Sequence, residues 1–190
     1  MTGILEVALY VAGILEELDV PYLVGGSLAS SLHGIPRATQ DADLLADLES
    51  DQVSELVARL QGSFYIDARA VDEAVRSRSS FNVIHLETMF KVDVFVAKKD
   101  PATRTELARR QRYVLDEAKQ QEVVVASAED IVVQKLLWYK MGGEVSDRQW
   151  NDVLGVLKVQ GSRLEQVYLR DTARQLGVEA LLERAFRASV

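Results

Sequence analysis

The chain has 190 residues, 48% of them hydrophobic and 27% charged, enough apolar material to bury a core and too balanced a composition for disorder. Lys and Arg total 22 against 29 Asp and Glu, and the resulting net charge of −7 works against non-specific binding to a polyanion. With no cysteine, disulfides and thiolate metal sites are excluded, any metal must be oxygen-bound, and the composition fits a reducing, cytoplasmic setting.

The first apolar stretch, Thr2 to Val20, is interrupted by Glu6, Glu16, Glu17 and Asp19 and is no membrane span. Ile4, Val7, Ala8, Val11, Ile14, Leu15 and Leu18 recur at helical spacing instead, which predicts a helix with one buried stripe. Pro21 marks a break, and Tyr22 to Val24 read as a short strand running into Gly25 and Gly26. Ser27 to Leu32 form a brief helix, stopped by Gly34 and Pro36. Glycines between a strand and a helix let the backbone approach a phosphate, and helix N-terminal amides point positive charge at it. A Gly-Gly-Ser run is also an ordinary turn.

Asp41 to Ala46 make the second strand, with Asp41 and Asp43 on one face. About 7 Å apart by strand rise, the two carboxylates can share a pair of hard divalent ions, as two-metal phosphoryl transfer requires. A solvated strand end carries the same pattern. Ser50 can cap a helix over about 51–60, Phe64 to Ile66 read as a strand, and Val71 to Arg78 as a short helix. Phe81 to Leu86 and Phe90 to Val96 are two strands in hairpin spacing. Val92, Val94 and Val96 alternate with Lys91, Asp93 and Phe95, so Asp93 points away from the valine face. It is either a third acidic ligand or a plain edge carboxylate.

From Asp100 the pattern turns mostly helical, which divides the chain into 1–99 and 100–190. Pro101 begins a helix through about Arg112, and Glu122 to Ala126 is an apolar run that could add a strand. Lys98, Lys99, Arg104, Arg109, Arg110 and Arg112 form the one basic run, either a solvated helix face or a contact for nucleic acid. Ser127 to Asp130 read as a capping box opening a helix to Met141, closed by Gly142 and Gly143. A helix over about 146–158 follows, with Arg148 and Asp152 at i,i+4 spacing, and two more lie near 164–175 and 178–186.

Gly25-Gly26-Ser27, then Arg37 and Thr39 just ahead of Asp41-Ala42-Asp43, resembles the signature of the polymerase-beta-like minimal nucleotidyltransferases, and within them the AbiEii-type group, which includes MenT-like toxins. The resemblance implies an α/β (α+β) fold: a small mixed β-sheet core flanked by helices, with a C-terminal helical lobe. It implies an NTP-dependent enzyme that moves a nucleoside monophosphate to an acceptor hydroxyl and releases pyrophosphate. Asp41, Asp43 and Asp93 would be catalytic metal ligands for two Mg²⁺ ions, with Mn²⁺ as a substitute. Gly25, Gly26, Ser27, Arg37 and Thr39 would bind the nucleotide. Asp130, Lys135, Arg148 and Asp152 stand where the AbiEii-like pattern has an acidic-apolar-Lys helix and an RD-like helix, which makes Lys135 and Asp152 catalytic candidates. The acceptor classes it brings are RNA, notably tRNA, with a cognate antitoxin as partner, and small molecules or proteins. A non-catalytic nucleotide- or partner-binding module on the same fold is the competing expectation.

Overall fold

The computed structural model of the chain describes residues 1, 3–116 and 121–189. Thr2, the first residue of the apolar N-terminal stretch, lies outside them. The described residues fold into two compact units: Met1–Gly25 with Thr39–Val125, and Gly26–Ala38 with Ala126–Val190. No helix among them is long and apolar enough to cross a membrane.

The first unit holds a seven-stranded mixed sheet. Its strands are β1 (Tyr22–Val24), β2 (Asp41–Ala46), β3 (Phe64–Tyr65), β4 (Ser80–His85), β5 (Lys91–Val96), β6 (Gln111–Asp116) and β7 (Gln121–Val125), in the order β3-β4-β5-β2-β1-β7-β6. β2 and β5 lie side by side and parallel, in register from Asp41 opposite Lys91 to Ala46 opposite Val96. Their pairing follows from matched alternation: Ala42, Leu44 and Ala46 share a buried face with Val92, Val94 and Val96, each at most 3% exposed. A slip of one residue would turn Asp41 and Asp43 of β2, or Asp93 of β5, into that core, which fixes the register. α1 (Ile4–Glu17) packs on β1, β2 and β5 through Val7, Ala8, Val11 and Leu15. α3 (Val53–Leu60), α4 (Ala68–Ser77) and α5 (Pro101–Arg109) complete the unit. Asp67 caps α4 through the Arg69 and Ala70 amides, and Asp100 caps α5 through the Thr103 amide.

Two expectations need correction. The helix from Pro101 stops at Arg109 rather than near Arg112, because Arg110 turns extended (φ −54°, ψ 146°) and the chain enters β6. β6 then pairs antiparallel with β7, and β7 with β1. A boundary at residues 99 and 100 therefore falls inside the sheet unit, since the chain beyond it supplies two more strands. The second unit is also discontinuous: α2 (Gly26–His33) belongs with the C-terminal helices.

Those helices are α6 (Ala128–Met141), α7 (Asp147–Gln160), α8 (Gln166–Gln175) and α9 (Glu179–Ala188), with a 3₁₀ turn at Gly161–Arg163. Ser127 caps α6: its Oγ accepts from the Asp130 amide and donates to Asp130 Oδ2 at 2.6 Å. Asp130 Oδ1 accepts from Tyr168 at 2.6 Å, so this buried carboxylate ties α6 to α8. His33 is buried, its ring bonded to the Ala126 carbonyl oxygen at 2.7 Å, and burial pushes its pKa down. The end of α2 crosses α7 so closely that a Cβ on Gly34 would lie 2.7 Å from the Val156 nitrogen, and one on Gly155 would lie 3.2 Å from the Ile35 nitrogen. Only two glycines allow that approach. It brings the chain just after α2 alongside the turn of α7 that carries Asp152.

Candidate active site

In the sheet unit, strand alternation collects charge on the exposed side of β2 and β5. Asp41 and Asp43 project from one face of β2, and Asp93 stands directly opposite Asp43 on β5. Neighbouring strands lie about 4.8 Å apart and successive same-face residues about 7 Å apart, so the three carboxylates share one side of the sheet. Asp41 is exposed, and Asp43 and Asp93 are half-buried. Thr39 orients the first of them, its hydroxyl donating to Asp41 Oδ1 at 2.7 Å. The Gly25 amide donates to the Asp43 carbonyl at 2.8 Å, which pins the end of β1 beside the second.

Lys91 shares this face. Its Nζ lies 2.7 Å from Asp93 Oδ2, and its pKa is raised by that hydrogen bond and then by the charges of Asp93, Asp41 and Asp43. Sequence reasoning left Lys91 aside, although its position two residues before Asp93 puts it on the same side of the strand. Three carboxylates and one ammonium leave a net charge of −2, and an all-oxygen donor set of this kind fits a hard divalent cation. Among the described residues, no three His, Asp or Glu side chains are already gathered as a metal cluster; the ammonium stands among the carboxylates as their cation.

The helical unit holds a second constellation of opposite sign. Asp152 on α7 is clamped by two cations. Arg37 reaches it with Nε at 2.8 Å from Oδ1 and Nη2 at 3.0 Å from Oδ2, a bidentate fork, while Lys135 Nζ on α6 lies 2.7 Å from Oδ2. Arg37 Nη2 also donates to Ser27 Oγ at 2.6 Å. The Lys135 and Asp152 side chains are 6% and 5% exposed. Burial raises the Asp152 pKa, and the hydrogen bonds from Arg37 and Lys135 with their charges overcome it, so the carboxyl sits below its ordinary range. One carboxylate between two cations leaves this group one positive charge in excess. Arg37, read from sequence as a phosphate clamp, has two of its nitrogens engaged by Asp152 and Ser27 here, and Arg148 is exposed.

The chain crosses between the units at Gly25–Gly26 and again at Ala38–Thr39, inside the stretch that carries the glycines, Ser27, Arg37 and Thr39. Gly26 has φ +55°, a left-handed conformation that glycine adopts without strain. The basic run from Lys98 to Arg112 is divided among the segment between β5 and α5, α5 itself, and the entry into β6. Lys99 bonds Asp47 at 2.8 Å and also Glu49, about 13 Å along the strand from Asp43 by strand rise. Arg112 pairs with Glu122 at 3.1 Å.

No protein-family model matches the sequence, and no curated protein does. Solved structures do match. The lincosamide antibiotic adenylyltransferase LnuA aligns over 84% of this chain and 99% of its own, with a TM-score of 0.55 and 10% identity. The antibiotic-resistance factor ANT(2'')-Ia aligns over 96% and 97%, at 0.56 and 15%. An antigenic nucleotidyltransferase-like protein from Paracoccidioides brasiliensis aligns over 96% and 91%, at 0.58 and 16%. The chain has a nucleotidyltransferase fold. At these identities the fold is what is shared, and the nucleotidyltransferase fold here extends across both units.

Proposed function

We propose that the protein is a nucleotidyltransferase: an acceptor hydroxyl attacks the α-phosphorus of an NTP, the new oxygen–phosphorus bond forms as the bond to the β-phosphate oxygen breaks, and the acceptor loses its proton while pyrophosphate leaves. The observation that carries this reading is the register of β2 and β5, which sets Asp43 opposite Asp93 with Asp41 on the same face, in a chain with a nucleotidyltransferase fold.

Asp41, Asp43 and Asp93 would hold magnesium, with manganese as a substitute; when bound, that ion supplies Lewis-acid stabilisation of phosphoryl oxygens and a more acidic acceptor hydroxyl. Thr39 keeps Asp41 turned toward the shared face. The backbone at Gly25, Gly26 and Ser27 offers amides to the triphosphate. Lys135 and Arg37 would be the cations that offset negative charge as it moves onto the pyrophosphate. Asp152 positions both cations, and its low pKa keeps it ionised while it does so. A cytoplasmic setting, where NTP is plentiful, goes with this chemistry.

For the acceptor, the dispersal of the basic run favours a small hydroxylic molecule. Lys99 and Arg112 are each paired with carboxylates, which leaves them less charge to offer a polyanion. LnuA and ANT(2'')-Ia are antibiotic-modifying or antibiotic-resistance proteins by description, which gives that class a first panel. A second reading, RNA transfer by an AbiEii-type toxin with a cognate antitoxin, is supported by the Lys135–Asp152 pair at 2.7 Å, formed by the two residues that the AbiEii-like pattern marks.

The test is transfer of α-phosphate label from each of the four NTPs in Mg²⁺, with pyrophosphate release measured alongside. Lincosamides and aminoglycosides are offered in one arm and total cellular RNA in another. Label on a small molecule supports the first reading and label on RNA the second. NTP binding without Mg²⁺ dependence, and no product in either arm, would favour the non-catalytic binding module.

A further inference from the structure

Lys91 is, among the described residues, a charged side chain of the acidic face to which the proposed chemistry gives no task. It sits across from Asp41 in the strand register and two residues before Asp93 on β5, with its ammonium 2.7 Å from Asp93 Oδ2. Three like charges this close repel one another, and an ammonium placed among them relieves the repulsion. A divalent cation seeking the same oxygens has to take Asp93 from Lys91.

We propose that Lys91 is an exchangeable counter-ion that offsets part of the charge of the Asp41–Asp43–Asp93 face in the metal-free protein, yields Asp93 when a divalent cation binds, and thereby sets the concentration at which the site loads. The proposal rests on reading these aspartates as the metal site. The side chain is suited to the exchange: it is 43% exposed, so its flexible four-carbon stem can swing the ammonium into water without burying or stranding a charge. Lys135, at 6% exposure and bonded to Asp152, has no such freedom. Breaking the Lys91–Asp93 pair is then the first step of loading.

The experiment uses the full chain without nucleotide, with Mn²⁺ as the probe, and reads binding by calorimetry and by the electron paramagnetic resonance of free Mn²⁺. Lys91→Met removes the charge, and Lys91→Gln removes it while keeping a hydrogen-bond donor for Asp93. Both variants should bind Mn²⁺ about two- to fivefold more tightly than wild type, the amount that a partly exposed ion pair is worth. Both should also show a larger rise in melting temperature on adding Mn²⁺. Wild-type binding that depends on Asp43, with unchanged or weaker affinity in both Lys91 variants, overturns the counter-ion role. Wild type that fails to bind Mn²⁺, or Asp43→Asn that binds as well as wild type, overturns instead the metal-site reading beneath it.

Discussion

The two charged constellations are near mirror images. On the sheet, three carboxylates share a face with one ammonium, which pairs with Asp93 in contact with water; among the helices, two cations hold one buried carboxylate, Lys135 buried beside it and Arg37 partly exposed. The same types of ion pair therefore have opposite mechanical characters. An exposed pair contributes little to stability and can be exchanged for another ion at little cost, whereas a buried pair leaves a desolvated charge behind when one member is removed. The sheet face is built to trade partners, and the Arg37–Asp152–Lys135 group is built to stay as it is.

If that contrast is right, removing the central charge should be far costlier among the helices. Asp152→Ala strands Lys135 and Arg37 together, and chemical denaturation should show a loss of roughly 3–5 kcal/mol. A loss below about 1 kcal/mol would mean that the group is as wet as the sheet face. The close approach that holds Arg37 beside α7 gives the next effect. Gly34→Ala forces a methyl against the backbone of Gly155 and Val156, and should cost about 1–3 kcal/mol. Melting curves check it, and no change there would show that α2 and α7 separate freely.

A smaller effect is the acid limb of stability. The folded pKa of Asp152 lies below the ordinary carboxylate value, so its contribution is fully present above about pH 3.9. It is lost as pH falls through the lower folded value. Denaturation between pH 5 and 2 should therefore show a steeper decline for wild type than for Asp152→Asn, and parallel curves would contradict the clamp. Smallest of all is Lys91→Met without metal, worth about 1 kcal/mol or less because the pair is partly exposed. A loss of several kcal/mol on denaturation would show that Lys91 is fixed like Lys135.

What could be read in advance follows the range of the interactions. Strands β2 and β5 were legible because alternation with period two is written in six consecutive residues, and Asp41, Asp43 and Asp93 come with that pattern. β6 was not, because its short apolar run Tyr113-Val114-Leu115 follows directly on a segment that reads as helix from Pro101; pairing with β7 decides its state. The capping box at Ser127 was local and legible. The fork from Arg37 to Asp152 spans 115 positions, and no spacing rule connects them. Lys91 shared the alternation that revealed Asp93, and its partner stood two residues away. Period-two alternation marks it only as another outward-facing position of β5 and carries no sign of its charge partner.

The most direct measurement is nucleotide transfer by Asp43→Asn beside wild type, with the stability of both proteins recorded. Removing one metal-binding carboxylate takes away several kcal/mol of transition-state stabilisation, so turnover should fall at least about a hundredfold. Stability should hold or rise, because one repelling charge is gone from the face. Turnover within a few fold of wild type in a folded Asp43→Asn protein would contradict the assignment of the acidic face as the catalytic centre.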